Sequence, residues 1–444
     1  MSNSTKITTT EVQNALARIE EELSLFDFEI EGVKVWLALR LHIYYELCEK
    51  LGVLDTPHRR RLTLKEKFFR PFITVFNSIF RNPFFAKKSR YLLVPHNRKV
   101  KTDSGLIDIY TDDLEKEIGD ELVIVEKHDG ISHQRSLCGR RYAYDFISLY
   151  TIIASRLRRL NSGSHSAIVY QIERRIESEF KVQLTLHSKF ERYAYKHNCE
   201  SWLLRKLLLS KGVKEVFLVV SYGNPPLVDA CRKLQVTTTE IQHGVINQFH
   251  IGYDFGEKAN SFYHPYMPNK LILWNELWRH GAKLPKSIEK IEVKEPSYFK
   301  RQRQKVEHIQ EKKNRILFIS QGVNGRQQAS LIAKNISALS SYEIIFKLHP
   351  SEYKRWSGYS EMVAISKLTN VTVIDNSERD LYELIKSSKY VVGVFSTALF
   401  EAIGLEKKVF VWNLPGHEYM QASIESGKAI LVPTSEPLCN FLEY

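Results

Sequence analysis

Residues Tyr390–Trp412, YVVGVFSTALFEAIGLEKKVFVW, carry the pattern on which the fold turns. A valine-rich apolar run is followed by the polar pair Ser396-Thr397, then by helix-compatible residues ending at Gly404, and then by a second apolar run. The order is strand, turn, helix, strand. Both strands are nearly continuous apolar segments rather than alternating ones, which places them in a parallel sheet covered on both faces. Ligands of such sheets gather at the carboxyl ends of the strands, and Ser396 and Thr397 stand there. Either hydroxyl suits a helix cap, and the amides behind it present partial positive charge to an anion. The turn is a candidate phosphate site.

Working outward, the same alternation fills the C-terminal third. Strands are predicted at Arg315–Ser320, Glu343–Leu348 and Val371–Asp375, with helices at Gln327–Leu339 and Asp380–Ser388. It also occurs earlier, in strands at Arg90–Pro95, Leu122–Glu126, Glu215–Ser221, Thr237–Gln242 and Lys270–Trp274, with helices at Asp112–Ile118 and Pro225–Leu234 and a mostly helical, basic stretch over Tyr142–Leu209. Two consecutive doubly wound α/β units are implied, with no sequence repeat linking them. The expected division is a helical and basic extension over 1–89, a first Rossmann-like domain over 90–265, a linker with a charged helical segment over 266–312, and a second Rossmann-like domain over 313–444.

The chain has 444 residues, enough for two to three domains. Its 64 Lys+Arg against 51 Asp+Glu give a formal charge of +13, which favours an anionic partner. The five cysteines lie far apart with no CxxC or Cys/His cluster, so neither a zinc site nor a disulfide framework is expected, and a reducing cytosol fits. The amino-terminal residues lack the apolar core of a signal peptide, and no run of about 18 apolar residues occurs, so a membrane crossing is not expected.

The excess charge is uneven. Between His58 and Arg90, ten Lys/Arg face one Glu, with seven phenylalanines. Phe68, Phe72, Phe76 and Phe80 recur every four residues and line one helical stripe, as an interfacial helix on an anionic leaflet would; the alternative is packing on the next domain. Phenylalanines at helical spacing make no stacking platform for bases, and no recognition motif supports nucleic acid. Farther upstream, Trp36, Arg40 and Tyr44 share a helix face and are read as packing.

Polar residues cluster after the strands of the second unit: Ser320-Gln321-Gly322, Lys347-Leu348-His349-Pro350, Asp375-Asn376-Ser377 and Ser396-Thr397. Four polar carboxyl ends on one sheet edge are where a nucleotide binds in a doubly wound fold. Pro350 fixes the turn after His349 and holds the imidazole near that edge. In the first unit, Gln242-His243-Gly244 ends a strand, with glycine permitting close backbone approach, and His96-Asn97-Arg98-Lys99 makes a basic loop suited to an anionic acceptor.

The run KLHP, followed some 45 residues later by a strand and STALFEAIGL, resembles the nucleotide-binding domain of the GT-B glycosyltransferases of bacterial surface polysaccharides. The likeness is to the group using cytidine nucleotides: sialyl-, polysialyl- and Kdo transferases and CDP-glycerol polyol-phosphate transferases. It implies two Rossmann-like domains facing a cleft, with His349, Ser396 and Thr397 on the donor phosphate, Ser320, Gly322, Lys347 and Pro350 around them, and Glu401 at a ribose hydroxyl. Glu401 reads equally as a solvated helix residue. Gln242, His243 and Gly244 would line the cleft, with His96 and Arg98 toward the acceptor.

Asp103, in a loose match to the acidic-x-Gly motif of the sialyltransferases, would be the general base, with Asp108 and Asp112 as fallbacks and a plain turn aspartate as the alternative. No DxD-type metal motif is present, since Asp112-Asp113 suits a helix start, and no cofactor is expected beyond a nucleotide-sugar substrate. The function implied is metal-independent transfer of an acidic sugar from a CMP donor onto a lipid-linked or growing glycan, by a cytoplasmic protein peripheral at the inner face of the membrane. A nucleotide-sugar epimerase of the same fold and a non-catalytic nucleotide-binding scaffold subunit are the alternatives.

Overall fold

In the first domain, apolar runs build a sheet of β1 (Tyr91–Val94), β2 (Leu122–Glu126), β3 (Arg141–Ala143), β4 (Glu215–Leu218), β5 (Thr237–Ile241), β6 (Lys270–Leu273) and β7 (Lys290–Val293). The computed structural model describes residues 7–53, 63–96, 99–102, 105–128, 133, 137, 139–157, 166–275 and 278–442. The spatial order is β7-β6-β5-β4-β1-β2-β3, and every pairing is parallel. The second domain contains β8 (Lys312–Ile319), β9 (Glu343–Lys347), β10 (Val371–Ile374), β11 (Ser388–Gly393), β12 (Lys408–Trp412) and β13 (Ala429–Val432). Their order is β10-β9-β8-β11-β12-β13, again all parallel.

Central strands are buried on both faces: all five residues of β2 and four of five in β9 and β12 are inaccessible. That burial is why they read as unbroken apolar runs. Each sheet reverses its winding beside its central strand, β1 in the first and β8 in the second, and the crevice outside the carboxyl ends at such a reversal is the ligand position of open α/β sheets. Two doubly wound domains facing one another constitute a GT-B arrangement.

Helices α1 (Thr9–Glu22) and α2 (Val35–Lys50) share one core with the first domain, among them Trp36, Leu47, Ile251, Tyr253 and Leu271. Trp36, Arg40 and Tyr44 pack inward as expected. Arg40 is buried against Glu20 (Nε to Oε1 2.6 Å, Nη2 to Oε2 3.0 Å) and donates to the carbonyls of Ile251 and Asp254 at 2.5 and 2.7 Å. The same Oε1 of Glu20 accepts the Trp36 indole N–H at 2.8 Å.

The chain departs from its sequence reading at sheet edges. The stretch 266–312, expected as a linker, gives β6 and β7 to the first sheet, so that domain continues through Val293. Within that stretch, α9 (Ser297–Val306) then leads to β8. Strand β7 is an exposed edge with sequence KIEV, and its ladder to β6 holds it without any apolar run. For the same reason β3 and the hairpin Val100–Thr102/Gly105–Ile107 carry no strong sequence signal. Among the described residues no helix is long and apolar enough to cross a membrane.

Candidate donor site at the interdomain cleft

At the centre of the second sheet β8 pairs with both β9 and β11, so the loops after these strands emerge side by side. Helix α13 (Thr397–Gly404) follows β11 and is capped by Ser396, whose Oγ accepts the Ala398 N–H at 3.3 Å. A serine in this position stabilises a helix by about 1 kcal/mol and leaves the remaining first-turn amides facing outward. Ser396 is half-buried and Thr397 exposed.

His349, beyond β9, caps the short turn Pro350–Glu352. Its Nδ1 accepts the Ser351 N–H at 3.2 Å and lies 2.8 Å from Ser351 Oγ, while its own N–H donates to Glu352 Oε2 at 2.9 Å. With Nδ1 engaged as an acceptor, the neutral ring carries its proton on Nε2. Gly322 lies against this turn with φ of 73°; a β-carbon there would stand 2.7 Å from Ser351 Oγ and 3.1 Å from His349 Nδ1. Both the left-handed backbone and the close approach call for glycine.

Further bonds tie the strand-end loops together. Arg355 Nη2 donates to the Gly322 carbonyl at 2.8 Å, Trp356 Nε1 to Asp375 Oδ2 at 2.9 Å, and Asn324 Nδ2 to the Pro415 carbonyl at 2.9 Å. Lys347, placed among the phosphate contacts by the sequence, is buried, and its Nζ donates to Tyr353 Oη at 2.6 Å and to the Asn376 carbonyl at 2.8 Å. It fastens the loops after β9 and β10. Ser320 is buried and its Oγ has no hydrogen-bond partner among the described residues. Pro350 is exposed at the start of its turn.

The first domain supplies the opposite wall. Ile109, Tyr110 and Val245 pack on a cluster shared by Trp274, Trp278 and, from α13, Ala398, Leu399 and Phe400, so the loops after β1 and β5 border the same apolar cluster as α13. The His96 ring stacks on His243 with centroids 6.0 Å apart and meets Tyr110 edge-on at 5.3 Å. His243 Nε2 is 3.2 Å from Tyr222 Oη, and its buried Nδ1 has no partner among the described residues. Burial, aided by the neighbouring His250 and His96, lowers the His243 pKa to about 3; burial lowers that of His250 to about 4.

Gln242 serves the wall rather than its surface. Fully buried, it accepts the Trp274 N–H at Oε1 (2.8 Å) and donates from Nε2 to the Trp278 carbonyl (3.1 Å). Asp108, a fallback base, is likewise committed: Oδ2 accepts His96 N–H at 3.0 Å and faces Lys99 Nζ at 3.3 Å, and Oδ1 accepts Tyr110 N–H at 3.0 Å. Asp112, the second fallback, accepts the Asp108 N–H at 3.0 Å. Asp103 and Arg98 lie outside the described residues. Gly244 follows His243 into the turn before Val245. Glu401 lines an interdomain pocket with Trp274, Trp278, Arg303 and Tyr382. Burial first and the Glu401 carboxylate second raise the Tyr382 phenol well above its ordinary pKa.

Sequence reading passed over the loop after β12. There Asn247 Nδ2 donates to the Tyr419 carbonyl at 3.2 Å, Tyr419 Oη to the Phe249 carbonyl at 3.1 Å, and Thr9 Oγ1 to Glu418 Oε1 at 2.7 Å. This clasp joins both domains and α1. Its signal was the polar segment Asn413–His417 after one more apolar strand, a fifth carboxyl end on the same edge.

The buried histidines predict a pH response. Neutral when folded, His243 and His250 take up protons on unfolding anywhere between their folded values and the ordinary 6.5. Their stabilising contribution is complete above about pH 6.5 and is lost progressively as pH falls toward 3 to 4. A His243→Gln/His250→Gln protein should therefore show a shallower decline of melting temperature between pH 6.5 and 4.5 than the parent; equal slopes would refute the assignment.

No family model matches the chain, and no curated protein matches it. Among solved structures it is similar to MurG of Acinetobacter baumannii, at 8% identity over 80% of this chain and 88% of that one with a TM-score of 0.47. It is also similar to the UDP-GlcNAc 2-epimerase of Methanocaldococcus jannaschii (13%, 78% and 88%, 0.44) and to the spinosyn rhamnosyltransferase SpnG in complex with spinosyn aglycone (13%, 80% and 89%, 0.43). Glycosyltransferases and epimerases thus both occur among the similar structures, and likeness at these identities and TM-scores carries no argument about which chemistry this GT-B chain performs.

Proposed function

We propose that the protein is a glycosyltransferase that moves a sugar, of the acidic Kdo or sialic acid type, from a CMP donor onto a lipid-linked or growing surface glycan, working at the inner face of the cytoplasmic membrane. One observation carries the reading: the capped amino terminus of α13 and the Ser351-oriented His349 emerge from strands flanking β8, at one crevice of a two-domain cleft. Helix amides, hydroxyls and an imidazole N–H are the groups that neutralise a departing phosphate.

In the reaction, the acceptor hydroxyl oxygen bonds to the anomeric carbon as the bond from that carbon to the phosphate oxygen breaks. CMP leaves with the electron pair. His349, Ser396 and Thr397 receive its charge, with Gly322 setting the imidazole. The acceptor proton passes to Asp103, since Asp108 and Asp112 are held by backbone amides. His243, neutral across the physiological range, offers Nδ1 to a ligand hydroxyl, and His96 and Arg98 are assigned to the acceptor.

Thermal shifts against CMP, CDP, UDP and GDP test the donor. CMP at 100 times its Kd should add about 2.7 kcal/mol of stability. Stabilisation by UDP alone, with interconversion of a UDP-sugar, would replace this reading with epimerisation.

A further inference from the structure

Two neighbouring helices of the protein present apolar faces outward. Helix α3 (Leu64–Phe80) buries Asn77 and Ser78, while Phe68, Phe72, Phe76 and Phe80 are 65, 62, 56 and 62% exposed and Phe69, Val75 and Ile79 are exposed beside them. Helix α5 (Asp145–Leu157), packed against α3, holds Ile147 in the core and buries Thr151, whose Oγ donates to the Ile147 carbonyl at 2.6 Å, while Tyr150, Ile152 and Ile153 are exposed. The face continues onto α7 (His187–Lys211), where the exposed Trp202 stacks on Tyr150 at 6.1 Å under the Lys206 ammonium. Phe85, after α3, is exposed as well. Helices bordering water turn their polar residues outward, and a contiguous apolar face of several side chains marks a binding surface.

We propose that α3, α5 and Trp202 form one face that seats the protein in the interfacial layer of an anionic bilayer. Charge selects this occupant. The segment His58–Arg90 carries ten Lys/Arg against one Glu, and the exposed Lys87, Lys88 and Arg156, with Lys206, border the face. A second copy of the chain would bring two such basic borders together at a cost, whereas an anionic leaflet is attracted to each of them. Aromatic side chains flanked by Lys/Arg are the composition of helices that lie in the membrane interface.

The face also has a fixed relation to the cleft. Arg81, directly after α3, accepts the Ala143 N–H at 2.8 Å on its carbonyl, at the carboxyl end of β3. That is the sheet edge that carries His96 and His243, so a bilayer under α3 and α5 adjoins the acceptor side. Resting on the glycosyl-transfer reading, this makes the acceptor a glycan whose lipid anchor stays in the bilayer while its sugar end enters the cleft.

Flotation of the full chain with phosphatidylcholine vesicles, with and without phosphatidylglycerol, tests the proposal. The protein should float with the anionic vesicles and progressively less as salt rises. Phe72→Ser/Phe76→Ser on α3 and Ile152→Ser/Ile153→Ser on α5 should each lower binding about ten-fold or more, with melting temperature and turnover of a water-soluble acceptor unchanged. Equal flotation on neutral vesicles, no flotation, or variants that bind as the parent does would overturn it. So would a concentration-dependent dimer in ultracentrifugation that the α3 variant abolishes. If flotation behaved as expected while no acceptor of either kind were glycosylated, the docking face would stand and the transfer reading would fall.

Discussion

Replacing His349 by alanine should lower transfer from a CMP-linked sugar about 10²–10³-fold in kcat, the loss typical of removing one preorganised donor to a developing negative charge. The effect is large because the ring is set in place by others. Ser351 N–H fixes Nδ1 as the acceptor, Glu352 takes the His349 backbone N–H, and Gly322 leaves room for the pair. No reorientation is needed as the phosphate departs, so the donor acts at full strength in the transition state. CMP affinity should fall too, by less, since the product phosphate is still met by Ser396 and the α13 amides. Kinetics with saturating acceptor and calorimetry with CMP measure the two quantities. Full transfer together with unchanged CMP affinity would remove His349 from the donor site.

Arg40→Ala should be the most destabilising single change outside the strands, by about 3–5 kcal/mol, the usual cost of deleting one member of a buried ion pair. The guanidinium lies between Glu20 and the carbonyls of Ile251 and Asp254, and its plane sits 4.7 Å from the Phe255 ring. Its removal leaves a buried carboxylate with the Trp36 N–H and strips two carbonyls of their donor. Glu20→Gln/Arg40→Met, which removes both charges, should recover a substantial part of the loss. Because the chain has two domains, the measurement is the midpoint of the first unfolding transition in denaturant rather than a single global ΔG. A shift no larger than that of an exposed Arg156→Ala would show that the pair contributes nothing beyond packing.

Much of this architecture was legible locally. Strands buried on both faces must be apolar throughout, so β1, β2, β4, β8, β9, β11 and β12 stood out as runs. Asp112–Ile118 was read residue for residue, because two acidic residues open it and Gly119 closes it at φ of 64°. Edge strands were not legible, since β7 and β3 meet solvent and are defined by the partner they pair with. The roles of Lys347 and Gln242 were missed for a related reason. A polar residue at a strand end looks like a ligand contact until its partners, here the Asn376 and Trp278 carbonyls, come from far along the chain. Exposure of the α3 phenylalanines was ambiguous in sequence between a membrane face and a domain contact. Tertiary packing buries Asn77 and Ser78 and leaves the phenylalanines exposed.

By itself, then, the sequence determined what depends on periodicity and backbone chemistry: two parallel α/β units, the hydroxyl-capped helix after β11, and the proline-fixed turn at His349. Only the tertiary structure decided which polar groups face the cleft and which fasten its walls. It also decided how far the first domain runs, and that α3 and α5 present their apolar sides to the outside. The physical reason is that hydrogen-bond partners and burial are set by residues distant in sequence, whereas helix and strand preferences are set by neighbours.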